Sequence, residues 1–264
     1  MKPVTRALLA AALTLSLAPA AWAVPTSQTW IPSPDAKGFK EVTANLIYIG
    51  RFAPKSSAGP SSFDAGVVAG VSPFANLKLE LGIDYLTTNL QNDNYYDNHP
   101  IYFNAKLATP EDAFGIKGLP AFAVGVYNLG TYDKPELGAS TRQNIAYGLV
   151  GRTFPVIGRL SAGGYYGAQR ALVVGTNLKN NNSGIMASWD RTMSEISDKL
   201  WLGVDYMGGN NANGALSVGG SWAFTKNVSL LLGVITYNPF YKPSGGESLP
   251  GGKPAYTSQF FYSF

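Results

Sequence analysis

The chain has 264 residues, with 20 Lys+Arg against 16 Asp+Glu, one His and no Cys; 45% of its residues are hydrophobic and only 14% charged. That is too apolar for a disordered chain. The lack of Cys excludes a disulfide scaffold, a thiolate nucleophile and every cysteine metal site, and a lone His99 excludes multi-histidine metal sites. Neither a cofactor nor a metal is expected.

The chain opens with Lys2 and Arg6, an apolar run over 7–17, and Ala21-Trp22-Ala23 in the small-x-small form of a cleavage site. The run is shorter than the roughly 20 residues that a spanning helix needs, so residues 1–23 read as a cleaved export signal. Without it the net charge falls from +4 to +2. So small and scattered a charge makes no case for nucleic acid. Residues 24–40, with Trp30, Pro32 and Pro34, precede the first strand and are expected on the periplasmic side, either below the fold or tucked into it.

From residue 41 to 264 the sequence alternates apolar and polar residues in segments about ten residues long. Period-2 alternation places one set of side chains on each face of a strand. In Leu77-Lys78-Leu79-Glu80-Leu81-Gly82-Ile83-Asp84-Tyr85 one face is wholly apolar and the other carries Lys78, Glu80 and Asp84. Lys199 to Tyr206 repeats the pattern, and both segments contain Leu-Gly-x-Asp-Tyr. In 213–224, Leu216, Val218, Trp222 and Phe224 stand opposite Ala215, Ser217, Gly219, Ser221 and Ala223. Twelve such segments are predicted: 41–52, 62–72, 76–87, 100–108, 120–129, 142–152, 158–169, 183–192, 199–208, 213–224, 227–237 and 254–264. The links after the second, sixth, eighth and tenth are short. Those after the first, third, fifth, seventh and eleventh are long and polar. The link 108–119 is long on the short side, and 208–212 is short on the long side.

Long loops at one end and short turns at the other, with an even strand number, predict an all-β fold: a transmembrane antiparallel up-and-down β-barrel of about 12 strands. The chain end, Phe260-Phe261-Tyr262-Ser263-Phe264, resembles the C-terminal strand of Gram-negative bacterial outer-membrane β-barrel proteins. The resemblance covers the signal, the terminal strand and the alternation, and it points to no subfamily. It implies location in the outer membrane, with outer-membrane lipid and the barrel-assembly machinery as partners. Phe260, Tyr262 and Phe264 would be the assembly signal. The outward face should be Leu, Val, Ile, Phe and Tyr, with Phe52, Phe63, Tyr85, Phe224, Tyr237 and Phe264 as interfacial girdles. A soluble sandwich would turn the same face to its own core, but its other face would be too rich in Gly and Ala for a solvated surface.

The inward face is expected to carry Asp64, Lys78, Glu80, Asp84, Lys106, Arg142, Arg152, Asp190 and Asp205, together with Asn104, Asn144 and Ser188. Both signs occur, so the tally alone implies no strong ion selectivity. Twelve strands enclose more than a filled eight-stranded barrel and less than a porin. These side chains either line a solute path or pair across the lumen and brace it.

Three sharper site readings fail on spacing. His99 sits beside Pro100 at a loop edge with no Gly-x-Ser-x-Gly and no placed acidic partner, so no enzyme is expected. Asn92-Asp93-Asn94-Tyr95-Tyr96-Asp97-Asn98 lacks the Gly and closing Glu of a calcium loop. Gly163-Gly164-Tyr165-Tyr166-Gly167 lacks the Lys-Ser/Thr of a phosphate loop. The sequence therefore supports a narrow channel or transporter for small solutes. Its alternative is a closed barrel with a structural or surface-interaction role, displaying external loops such as 241–254.

Overall fold

The computed structural model describes residues 26–52, 61–88, 99–134, 139–140, 142–172, 181–241 and 250–264. The expected export signal over 1–23, the run 92–98 and most of the loop 241–254 fall outside the described residues. Twelve long strands form one closed antiparallel barrel: β1 Val42–Arg51, β2 Ser62–Gly70, β3 Lys78–Thr88, β4 Ile101–Thr109, β5 Ala121–Gly130, β8 Ile145–Phe154, β9 Gly158–Tyr166, β10 Ser183–Thr192, β11 Leu200–Met207, β12 Ala215–Ala223, β13 Val228–Tyr237 and β14 Ala255–Ser263. A small hairpin, β6 Asp133–Lys134 with β7 Ala139–Ser140, rides in the β5–β8 link. A short helix, α1 Gln169–Leu172, follows β9. Closure is made by β1 pairing with β14, from Thr43 opposite Ser263 to Arg51 opposite Ala255.

Each predicted segment is one barrel strand, to within a few residues at each end. Their β-branched and aromatic residues suit a pleated surface buried on at least one side. Neighbouring strands are consecutive in the chain except at the closing seam, so an up-and-down order needs no crossover. The start of β1, the end of β14 and the tight turns, such as 155–157 and 224–227, share one end of the barrel. The long links share the other. The long link on the short-turn side, 110–120, is shaped by a 3₁₀ turn at Ala113–Gly115.

Alternation assigns the faces. Leu81, Ile83 and Tyr85 are each 46% exposed on the outer wall, whereas Glu80 between Leu79 and Leu81 is buried. Val124, Val218, Leu232 and Val234 continue the outward apolar surface around the barrel. Phe52, Tyr85, Phe224 and Phe264 are exposed as expected of girdle residues, and Phe63 is half-buried. Tyr237 differs: it is 4% exposed and points inward. The β13 sequence Val-Ser-Leu-Leu-Leu-Gly-Val-Ile-Thr-Tyr is apolar on both faces, and Leu231, Ile235 and Tyr237 fall on the buried one.

The reason lies inside. Residues 26–37 run within the lumen. Gln28 N–H donates to Ile31 O at 2.8 Å and Ser33 N–H to Thr26 O at 3.1 Å, so the segment folds back on itself as a narrow hairpin with Trp30 at its tip. Gln28, Thr29, Ile31 and Ser33 are buried. Ile31 joins Ile145, Tyr147, Leu149, Tyr165, Leu172, Met186 and Met207 in an apolar cluster. Trp30 packs edge-on against Tyr237, with ring centroids 5.6 Å apart. Strands β8–β13 thus meet apolar side chains on the inner side as well, and inward-pointing Leu231, Ile235 and Tyr237 follow from that.

Two glycines make the space. A Cβ on Gly219 would lie 2.3 Å from Thr29 Oγ1, and one on Gly233 would lie 2.7 Å from Thr29 Cγ2. Gly219→Ala should therefore cost about 1–3 kcal/mol through overpacking. Thr29 Oγ1 has no hydrogen-bond partner, so Thr29→Gly in the same chain should recover most of that loss. Urea unfolding of the refolded single and double variants measures the coupling; strict additivity would separate Thr29 from the β12–β13 wall.

Candidate functional site

The lumen has an anchored half and an open half. In the anchored half, wall carboxylates hold the backbone of the inner segment. Asp205 of β11 accepts from the backbone N–H of Thr29 at 2.9 Å and of Trp30 at 3.2 Å, and from the Ser217 hydroxyl at 2.6 Å. It caps the hairpin tip as a carboxylate caps a helix start, by satisfying N–H groups that the turn leaves unpaired. Asp190 of β10 accepts from Gln28 Nε2 at 2.8 Å, Arg159 Nε at 3.0 Å and Trp201 Nε1 at 3.2 Å. Arg159 of β9 also pairs with Asp35 of the segment. Glu80 of β3 accepts the Lys37 N–H at 2.9 Å and pairs with Lys106 of β4 at 3.5 Å. Lys106 Nζ in turn donates to Thr26 O at 2.6 Å and Asp35 O at 2.9 Å.

Above the hairpin tip, an amide network covers this half at the long-loop end. Asn211, wholly buried, donates to the Tyr165 hydroxyl at 2.7 Å, and Tyr165 donates to Gly208 O at 2.6 Å. Asn238 Nδ2 reaches Asn211 O and Pro250 O. Leu172 of α1, fully buried, seals the cluster from above.

The open half lies between the inner segment and strands β1–β5. A cavity of about 370 Å³ extends there from the level of Thr43 and Ser263, beside the chain ends, to that of Ile49 and Ser62, near the long loops. Its polar wall includes Asn45, Asp64, Asp84 and Asn104. Asn104 donates from Nδ2 to Asp84 Oδ2 and accepts the Asn128 N–H at 3.0 Å on Oδ1. Asp64 Oδ1 is buried without a hydrogen-bond partner.

The residues expected to line the lumen divide accordingly. Asp64, Glu80, Asp84 and Lys106 border the cavity. Asp190 and Asp205 are buried against the inner segment. Lys78 is half-buried at the start of β3. Arg142 precedes β8, exposed, and lies 3.7 Å from Asp133 in the long link. Arg152 is near the short-turn end of β8 and pairs with Glu111 and Asp112 of the β4–β5 link at 3.3 and 2.8 Å. Neither arginine borders the cavity: one stands beyond the strand, and the other is drawn to a turn of opposite charge. The Arg152 guanidinium, followed by the Gly118 N–H, holds the Asp112 carboxyl below its ordinary pKa. Phe260, Tyr262 and Phe264 are exposed on the outer wall, and the last two rings pack edge-to-face at 4.7 Å.

Sequence reasoning missed Arg159 and Asn45. Arg159 shares the parity of Ser161 and Tyr165 in a strand of small residues, where the phase is weak. Asn45 alternates with apolar Ile47 and Ile49, so the inward face of β1 does not look polar. Among the described residues, no three His, Asp or Glu converge to hold a metal. His99 stacks on Tyr132 at 4.3 Å. Gly163 and Gly164 are strand residues of β9.

Arg159 is the hinge of the anchored half, because it faces carboxylates on both the wall and the segment. Replacing it with Met leaves the buried Asp190, and the half-exposed Asp35 beside it, without their cation, and should cost about 3–5 kcal/mol, chiefly through Asp190. Urea unfolding followed by tryptophan fluorescence will read this. Removing Asp190 as well, as Arg159→Met with Asp190→Leu, should return part of the loss.

No protein-family model matches the chain, and no curated protein matches it. Among solved structures, the chain is similar to Salmonella typhi OmpF in complex with daunomycin, at 11% identity and a TM-score of 0.37 over 85% of this chain and 96% of that one. It is also similar to the N-terminal β-barrel domain of Pseudomonas aeruginosa OprF, at 10% identity and a TM-score of 0.23 over 86% of this chain and all of that one. Neither likeness adds to what the chain's own barrel shows.

Proposed function

We propose that this chain is an outer-membrane barrel that passes small polar solutes through the narrow lumen space beside its inner segment. One observation carries the reading: the lining of the cavity beside the inner segment runs from Thr43 and Ser263, near the short-turn ends of β1 and β14, to Ile49 and Ser62, near the long-loop ends of β1 and β2. A solute path along it would be far narrower than an unobstructed twelve-stranded barrel would give.

Membrane residence is supported by the outer wall. A belt of exposed Leu, Val, Ile and Phe surrounds the barrel, an area far beyond the few hundred Å² that a soluble monomer tolerates. A closed barrel leaves no unpaired strand edge, which hydrocarbon requires. Strands of 8–11 residues match the length of a tilted transmembrane β-strand. The leader-like sequence over 1–23, the outward Phe260, Tyr262 and Phe264, and the clustering of long links at one end support export, machinery-assisted assembly and outward-facing loops. No catalytic role is proposed.

A closed barrel with a surface role competes, and the amide network over the anchored half favours it. Two measurements decide. Refolded protein in liposomes should speed swelling in small neutral and charged solutes, and Gly82→Phe, which points into the passage, should return the rate to that of protein-free liposomes. Unaltered swelling in the variant, or none in the wild type, leaves the closed barrel as the account. Leu81→Arg, on the outer wall, should destabilise the lipid-inserted barrel by about 2–4 kcal/mol. Equal stability would place the apolar belt outside lipid.

A further inference from the structure

The lumen carboxylates are not equivalent. Glu80 has Lys106, Asp190 has Arg159, and Asp205 has two backbone N–H groups and a hydroxyl. Asp64 and Asp84 have no Lys or Arg in ion-pair contact among the described residues. Among the described residues, the one side-chain donor reaching Asp84 is the Asn104 amide, on Oδ2. Both are half-buried on neighbouring strands, and Asp64 Oδ1, itself shielded from solvent, has no hydrogen-bond partner, which is costly for a carboxylate without a counter-charge. Asp64 stands opposite Leu86, so Asp84 is its diagonal neighbour, about 7–8 Å away.

A glycine gives the second observation. Asn45, Gly66 and Asp84 are in register across β1, β2 and β3. A Cβ on Gly66 would fall 1.9 Å from Asp84 Oδ1 and 2.8 Å from Asn45 Oδ1. The two oxygens therefore lean over the glycine toward each other, and Oδ1 is the Asp84 oxygen that Asn104 leaves untouched. Turning the Asn45 amide over would give Asp84 a donor but would not compensate either charge. Asn45, Asp64 and Asp84 all border the passage.

We propose that Asp84 and Asn45, which meet over Gly66, form with the diagonally placed Asp64 a cation site, taken by a small monovalent cation, alkali ion or primary ammonium, as it moves through the barrel. The donor set is hard oxygen, which suits such ions. It falls short of the 6–8 oxygens of a calcium site, and a weak site is what conduction needs, since the ion must also leave. This deepens the passage reading and rests on it for the ion's route, though not for its binding.

Two measurements on the refolded full-length barrel separate binding from passage. In planar bilayers under a KCl gradient, the wild type should show a reversal potential on the cation-selective side. Asp64→Asn with Asp84→Asn should move it to zero with conductance retained. In detergent, KCl should raise the thermal unfolding midpoint of the wild type above that in N-methyl-D-glucamine chloride of equal ionic strength, and the double variant should lose that difference. Should the double variant fail to fold, Gly66→Ala keeps both charges but puts a methyl where the oxygens converge, and it should weaken the potassium effect. Conductance without cation preference, and no potassium-specific stabilisation, would overturn the site while leaving the passage standing. Potassium-specific stabilisation without conductance would keep the site and remove the passage.

Discussion

Twelve strands enclose more volume than their own inward side chains fill, and the rest of the structure follows from how this chain fills it. Residues 26–37 supply the missing core, and their backbone must then be satisfied away from bulk water. The wall meets that demand with charge: Asp205 takes the N–H groups of the hairpin tip, Glu80 takes that of Lys37, and Lys106 takes the carbonyls of Thr26 and Asp35. A lumen that would otherwise need only polar, water-facing side chains thereby acquires an ordered interior of ion pairs and apolar contacts.

The inner segment also explains why the two halves of the wall differ in composition. Where it lies against β8–β13, small and apolar inward positions (Ile145, Met186, Met207, Leu231 and Ile235, with Gly219 and Gly233 beneath Thr29) stand beside the charged anchors Arg159, Asp190 and Asp205, which the segment engages. Toward the cavity, β1–β4 present Asn45, Asp64, Asp84 and Asn104 among apolar Ile47, Ile49, Val68 and Leu86, while Glu80 and Lys106 hold the segment. Asp64 and Asp84, the carboxylates that the segment does not engage, thus mark the part of the wall that still faces open space.

Strand number, order and facing were legible in the sequence because lipid on one side and polar groups on the other force a period of two. Leu81 beside Gly82, and Val218 beside Gly219, leave no choice of face. Legibility failed where that contrast fails. Tyr237 was read as a girdle residue because β13 is apolar on both faces, and only the presence of Trp30 inside tells which face it joins. Arg159 was passed over in a strand of Gly, Ala and Ser, although its parity with Ser161 and Tyr165 fixes it inward. The path of the inner segment has no local signature at all. It depends on partners such as Asp190 and Asp205, 162 and 176 residues away from Gln28 and Thr29.

Those separations constrain how the barrel forms. The inner segment precedes β1, while closure requires β14, the last strand, to pair with β1. Its main anchors, Arg159, Asp190 and Asp205, lie on β9, β10 and β11, in the second half of the chain. The segment therefore cannot reach its place until those strands exist, and it cannot be threaded easily through the turns once the wall has sealed. Docking and closure must overlap, with residues 26–37 lying against β9–β11 as β14 comes round to β1. Such dependence on contacts far apart in sequence makes folding slow, because the loop-closure cost falls before the contacts can offset it. Gln259 of β14, whose side chain donates to Thr29 O at 2.8 Å, ties the two events together: the strand that closes the wall also fastens the hairpin within it.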